Sequence, residues 1–345
     1  MNMKLYNDII IEYSNDKFEW DRLKNKVIIF SGITGLVGKF FVDLIMYKNY
    51  KDDLNCTIVG ICRNEKKLVD MFEEYLSNKN FKYLIKNICD EIEWNEDVDY
   101  IIHAASNTHP IQYATDPIGT INCNVSGTSN LLKLGKQNNI SKFVFVSSFE
   151  VYGNLDNVSC ISENDYGSID CTILRNCYPE SKRLGESLCI AYSSQENINT
   201  SIVRLPRVFG PTMNLDSSLA TAQFIKNGVN GENIVLKSNG KQLYSFGYVG
   251  DSVMAILYVL IKGENKNAYN VSDKKFDVTL KEFASIVADY SNNKVVFDVP
   301  TDIEKKGQSN TQRVILNGEK IKKIGFEVKK DIKERIIETI DIMKG

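Results

Sequence analysis

The chain has 345 residues, 43% hydrophobic and 25% charged, with a formal net charge of −2 at pH 7. This length and apolar content can bury a large core, expected to divide into two lobes. The near-neutral balance gives no electrostatic footing for nucleic acid or an anionic membrane. No apolar run reaches bilayer length and no secretion-signal pattern opens the chain, so a cytoplasmic protein is expected.

Residues 1–25 mix charges with Ile9-Ile10-Ile11, Phe18 and Trp20 and predict a helix packed outside a sheet. Val27-Ile28-Ile29-Phe30 then reads as a buried parallel strand, and Phe40-Phe41-Val42 with Leu44-Ile45 as the packed face of a helix. Between them stands Gly32-Ile33-Thr34-Gly35-Leu36-Val37-Gly38. Glycines at such a junction permit a tight turn and close approach to a pyrophosphate, which the free N–H groups of the helix start would hold. Short apolar runs follow at Thr57–Ile61, Tyr83–Ile85, Tyr100–Ala105 and Phe143–Ser148, separated by longer, more polar segments. This alternation predicts βαβ units in a doubly wound parallel sheet. Ligands bind at the carboxyl ends of such strands, where the glycine turn, His103-Ala104-Ala105-Ser106 and Ser147-Ser148 fall.

Tyr178-Pro179-Glu180-Ser181-Lys182 places a phenol and an ammonium four residues apart, on one helix face. Such a pair is commonly a solvated face. In company with a nucleotide turn it suggests a general acid–base, the cation lowering the phenol pKa. Ser148, 30 residues upstream, ends its strand where it could hydrogen-bond a substrate oxygen, although strand-end serines also serve turns. The eight cysteines show no C-x-x-C spacing and read as free thiols of a reducing compartment; with His103 and His109 the only histidines, no metal site is expected.

Together these segments resemble the extended short-chain dehydrogenase/reductases, in particular the nucleotide-sugar epimerases, dehydratases and decarboxylases. The resemblance runs from about residue 25 to the C-terminus. Its marks are the glycine turn, Asn87-Ile88, His103–Ser106, Asn124-Val-Ser-Gly-Thr128, Ser147–Gly153, Tyr178-x-x-x-Lys182, Arg207–Pro211 and Phe246–Asp251. It implies a Rossmann-type α/β fold with a dinucleotide lobe over 1–203, to which 246–275 return, and a smaller α/β substrate lobe drawn mainly from 204–345.

The resemblance also implies roles. Gly32, Thr34, Gly35, Leu36, Val37 and Gly38 would hold the dinucleotide pyrophosphate, and Asn87 and Ile88 would flank the adenine. Ala104, Ala105, Ser106 and Pro206 would pack along the cofactor, and Asn124 would brace the active-site strand. Lys182 would bond the nicotinamide ribose while tuning Tyr178, the acid–base at a sugar hydroxyl, with Ser148 and Glu150 completing the catalytic set. Asn107, Thr108, Ser148, Arg207 and Tyr244 would meet the substrate. No acid ends the second strand, where Gly60-Ile61-Cys62-Arg63-Asn64 stands; this favours NADP over NAD, with Arg63 at the 2′-phosphate.

Departures bear on the reaction. Dehydratases of this kind carry an acidic residue before the Glu, where this chain has Phe149, so a 4,6-dehydratase is disfavoured. Decarboxylases keep a match to Glu150. Many members place Asn at Arg207 and a phosphate-binding Arg at Tyr244, so a shifted phosphate clamp built on Arg207 is expected. The expectation is oxidoreduction at C4 of a nucleotide-linked sugar, as a 4-epimerase or 4-keto-sugar reductase serving surface polysaccharide synthesis. The alternative is a decarboxylase or 4,6-dehydratase working through a 4-keto intermediate. In another class stands a non-catalytic dinucleotide sensor, against which the presence of Ser148, Tyr178 and Lys182 weighs. A homodimer is expected, with Leu184, Leu188 and Tyr192 forming a stripe fit for core or interface.

Overall fold

The computed structural model describes residues 1–107, 113, 115–155, 158–299 and 312–345. Its centre is a seven-stranded, wholly parallel sheet of β1 (Val27–Ser31), β2 (Thr57–Cys62), β3 (Phe81–Ile85), β4 (Tyr100–His103), β5 (Lys142–Ser148), β6 (Thr200–Leu205) and β10 (Asn267–Asn270), in the order β10-β6-β5-β4-β1-β2-β3. The order reverses between β1 and β4. Both begin a crossover there in opposite directions, which opens a crevice at their carboxyl ends.

The strands read as continuous apolar runs because both faces are covered. Alternate residues point to opposite faces. Ile28 and Phe30 of β1 and Val144 and Val146 of β5 join one core, while Ile29, Phe143 and Phe145 join the other. The first core is closed by α2 (Leu36–Asp52) and α7 (Val249–Lys262), and the second by α4 (Pro117–Gln137) and α5 (Cys177–Gln195). Between β2 and β3 lies α3 (Glu65–Phe72). The doubly wound, Rossmann-type architecture expected from the alternation of runs is therefore present.

The N-terminal segment departs from expectation in one respect. Residues Met3–Ser14 do form a helix, α1, but it packs on α2 and α7 rather than directly on the sheet. Tyr6 donates to Asp43 of α2 at 2.5 Å and Tyr13 to Asp251 of α7 at 2.8 Å. After β6 the chain leaves the main sheet. β7 (Arg207–Phe209) pairs with β9 (Leu243–Tyr248), which also pairs with β11 (Asp277–Thr279) and β13 (Arg313–Val314). α6 (Ala220–Asn230), β8 (Ile234–Leu236), α8 (Leu280–Ser291), β12 (Val295–Phe297) and the short α9 (Glu319–Lys323) complete this side. The last helix, α10 (Ile332–Lys344), returns to α1, where buried Arg335 donates to Glu12 at 2.7 Å and to Glu338 at 2.8 Å. No helix among the described residues is long and apolar enough to cross a membrane.

Candidate active site

A cavity of about 1020 Å³ runs from the glycine turn, across the carboxyl ends of β1, β4 and β5, to β7 and β9. At its floor the chain passes from β1 to α2 through Gly32, whose φ of +79° suits glycine, and a Cβ there would lie 2.8 Å from the Ala105 backbone. At Gly38 a Cβ would lie 2.4 Å from the Ile33 carbonyl. Gly35 caps α2 with no side-chain bond, so the N–H groups of the first turn are left to a ligand. This bare helix start, walled by Thr34 and Ala104–Asn107, fits a dinucleotide pyrophosphate.

Ser148, Glu150, Tyr178 and Lys182 converge on the other side of the cavity, although they come from β5, the turn after it, and α5. Ser148 accepts the Glu150 N–H at 3.2 Å, which fixes the turn. Glu150 pairs with Arg175 at 3.1 Å, and Arg175 lies against the ring of Tyr113. Tyr113 in turn stacks on Tyr178.

The electrostatics correct one expectation. Lys182 shares the helix face of Tyr178, yet its ammonium donates to the Val146 carbonyl at 2.8 Å and lies 4.7 Å from the Phe145 ring centre. The Tyr178 phenol is raised above its ordinary value rather than lowered. Burial is the largest cause and the Glu150 charge adds to it, while Ser148 and Arg175 pull the other way. Burial also brings Lys182 down to about 8. His103 is brought down to about 3 by burial and by the charge of Lys182; it sits wholly inside, bonded to Ser31 at 2.7 Å, as a neutral structural ring.

The other predicted positions fall as follows. Leu36, Val37, Arg63, Asn87, Ile88, Ala105, Ser106, Asn107, Pro206, Arg207 and Tyr244 all line the cavity. Asn124 does not: it is buried behind the wall, where it accepts from Ser106 at 2.8 Å and donates to Ser181 at 2.9 Å. It thus ties α4 to α5 and to the segment after β4, rather than bracing the active-site strand. Thr108 and His109 lie outside the described residues. All eight cysteines are free thiols.

The model of the NAD dependent epimerase/dehydratase family matches residues 28–272. The chain belongs to that family. It is therefore an enzyme of the NAD(P)-dependent epimerase/dehydratase kind, acting in the nucleotide-sugar class. Among curated relatives, a UDP-glucuronic acid decarboxylase of Arabidopsis thaliana is 30% identical over 285 residues, 81% of this chain and 79% of that one. Among solved structures, the UDP-glucose 4-epimerase of Thermotoga maritima aligns with a TM-score of 0.79 at 20% identity, over 92% of this chain and 98% of the other. The UDP-glucuronic acid 4-epimerase of Bacillus cereus, in complex with UDP-glucuronic acid and NAD, aligns with a TM-score of 0.76 at 19% identity, over 92% and 99%. At these identities the two structures speak for the fold.

The three residues read from the sequence as departures, Phe149, Arg207 and Tyr244, come together as one physical unit. The Arg207 guanidinium lies 4.1 Å from the Tyr244 ring centre and 5.0 Å from that of Phe149. Such stacking holds a weakly hydrated cation without a carboxylate partner, and Arg207 has none among the described residues. Its Nε is buried without a hydrogen-bond partner, as is that of Arg175.

Sequence reasoning missed Tyr113, Arg175 and the layer beneath β5. In that layer Glu186 accepts from Ser147 at 2.6 Å and from Arg204 at 2.7 and 3.0 Å, and Arg204 also donates to Tyr152 at 2.9 Å. Glu186 lies one helical turn after Lys182, a spacing that could have flagged it.

Proposed function

We propose that this chain is an NAD(P)-dependent oxidoreductase acting at C4 of a nucleotide-linked sugar, as a 4-epimerase or a 4-keto-sugar reductase. One observation carries the reading: the Ser148 hydroxyl and the Tyr178 phenol share one buried end of a cavity whose other end is a bare, glycine-bounded helix start. When bound, the nicotinamide supplies the hydride acceptor and donor. The protein's part is positional and protic. The first turn of α2 holds the pyrophosphate, Asn87 and Ile88 flank the adenine, and Lys182 bonds the ribose hydroxyls. Ser148 hydrogen-bonds the C4 oxygen and Tyr178 exchanges its proton. The raised phenol is a proton donor before the cofactor's charge arrives, which suits protonation of a C4 oxygen as a carbonyl is reduced.

Arg207 serves the nucleotide phosphates in this reading, held open by Phe149 and Tyr244, with Asn107 and Thr108 at the sugar. The lobe built mainly from residues 204–345 supplies the substrate side. NADP is favoured because Arg63 follows β2 where an acid would bond a free 2′-hydroxyl. The enzyme works in the cytoplasm on surface-polysaccharide precursors, as a homodimer. Leu184 on α5 and Ile118 and Ile121 on α4 are exposed and available to such a contact; sedimentation at micromolar concentration tests it.

A second reading, a decarboxylase, is favoured by the Glu150–Arg175 pair and by the names of the curated relatives. A sugar carboxylate would then sit near Arg175 and Arg207. Oxidation at C4 would let the C5–C6 bond break with its electrons held by the C4 carbonyl, CO2 leaving and C5 taking a proton. A 4,6-dehydratase is opposed by Phe149. Chromatography that separates 4-epimers, coupled to mass spectrometry, of products from a panel of nucleotide sugars and their 4-keto forms, with NAD(H) and NADP(H), decides. Reduction of a 4-keto sugar or interconversion of 4-epimers supports the first reading, and CO2 release from a uronate supports the second. No turnover of any member overturns both.

A further inference from the structure

Charge is unevenly distributed along the cavity. The acidic side chains among its described lining residues are Glu150, beside Tyr178, and Asp298, beyond β12. At the opposite end, past the glycine turn, the charged lining residues are all cations: Arg63, Lys67 and Lys86. They come from three elements brought to one place by the backbone. Arg63 follows β2. Lys67 stands in the first turn of α3, where its N–H donates to the capping Asn64 side chain at 2.9 Å. Lys86 follows β3, and its N–H donates to the Cys62 carbonyl at 2.9 Å, which fixes it next to Arg63. None of the three forms an ion pair among the described residues, so each head group is free for a ligand. Asn87, uncharged, completes this end without adding a carboxylate.

A dinucleotide seated on the glycine turn puts its adenosine ribose against the end of β2. A free 2′-hydroxyl there is best met by a carboxylate; a 2′-phosphate, with about −1.5 to −2 charges at neutral pH, is best met by cations. We propose that Arg63, Lys67 and Lys86 together form a 2′-phosphate site that selects NADP(H) over NAD(H). This rests on the reading of the cavity as a dinucleotide site and deepens it, adding Lys67 and Lys86 to Arg63.

The test is isothermal titration of the full chain with 2′-phospho-ADP-ribose and ADP-ribose, which differ only in that phosphate, and then with NADP⁺ and NAD⁺. The phosphorylated member of each pair should bind at least about tenfold more tightly, as charge-assisted contacts of this number allow. Arg63→Ala, Lys67→Ala and Lys86→Ala should each reduce the preference severalfold with thermal melting unchanged, and Arg63→Asp should reverse it. Equal binding of both members, or tighter binding of NAD⁺, overturns the proposal and leaves the C4 chemistry standing. Binding of none of the four overturns the dinucleotide reading and this proposal with it.

Discussion

The ring of Tyr113 lies flat on that of Tyr178, with centroids 4.6 Å apart and planes 13° apart. Both rings are buried, so the stack fixes the direction in which the Tyr178 hydroxyl points into the cavity. Tyr178→Phe keeps the stack and removes only the proton. It should lower kcat by about 10²–10⁴-fold with cofactor Kd nearly unchanged. Near wild-type kcat in this variant would remove Tyr178 from the acid–base role. Tyr113→Leu keeps the proton and loosens its aim, so kcat should fall more than KM changes.

Lys182 presents a trade between stability and binding. Unfolded, its ammonium titrates near 10.5; folded, it is held to about 8 by burial. Between those values the unfolded chain carries more protons, so this residue's contribution to stability rises with pH and is lost as pH falls through about 8. At pH 7 the buried charge weighs on the fold. Lys182→Met should therefore raise the melting temperature by about 2–4 °C, flatten the rise in stability from pH 8 to 10.5, and weaken cofactor binding. A lower melting temperature would show that the Val146 and Phe145 contacts outweigh the cost of burial.

The Glu186–Arg204 pair lies under Ser147 and so under the strand end that presents Ser148. Glu186→Ala strands a guanidinium that is almost fully buried, and should cost about 3–5 kcal/mol of unfolding free energy. Glu186→Gln, which keeps shape and one acceptor, should cost less and show its effect in kcat through the aim of Ser148. Urea denaturation of both variants measures the first effect. Equal stability in Glu186→Ala and wild type would refute it.

Arg207 owes its position to two aromatic rings. Arg207→Lys keeps the charge but loses the planar stack and the fork of donors, so nucleotide-sugar Kd should rise about tenfold, as it would on losing one or two charge-assisted hydrogen bonds. Tyr244→Ala, which leaves the guanidinium in place without its platform, should show a smaller rise in the same direction. Normal nucleotide-sugar binding by Arg207→Ala would sink the clamp.

The sheet was legible in the sequence because parallel strands covered on both faces must be apolar throughout, and Val27–Phe30 or Phe143–Ser148 admit little else. The glycine turn was legible because Gly32 and Gly38 leave no room for a Cβ. The proximity of Tyr178 and Lys182 followed from helical spacing, and that of Ser148 to them from the family resemblance. Their interactions did not follow. An i, i+4 spacing puts Tyr178 and Lys182 on one face, but it cannot say that the ammonium turns to the Val146 carbonyl or that burial wins at the phenol. Likewise Tyr113 reaches Tyr178 across 65 residues of chain, and Arg207 reaches Phe149 across 58. Such contacts have no local period, and only the finished packing reveals them.

Arg335 and Glu12 are 323 residues apart, yet the bond between them seats α1. At ribosomal rates of about 5–20 residues per second, the apolar side of α1 waits roughly 15–65 s for α10 to arrive. Its bond from Tyr6 to Asp43 of α2 is available early, so α1 can be held before it is locked. A chain halted before Lys330 would keep that first hold but leave Glu12 without both of its cations, Lys330 and Arg335, and the side of α1 facing α10 uncovered. Quality control could then distinguish an unfinished copy from a finished one at a single helix.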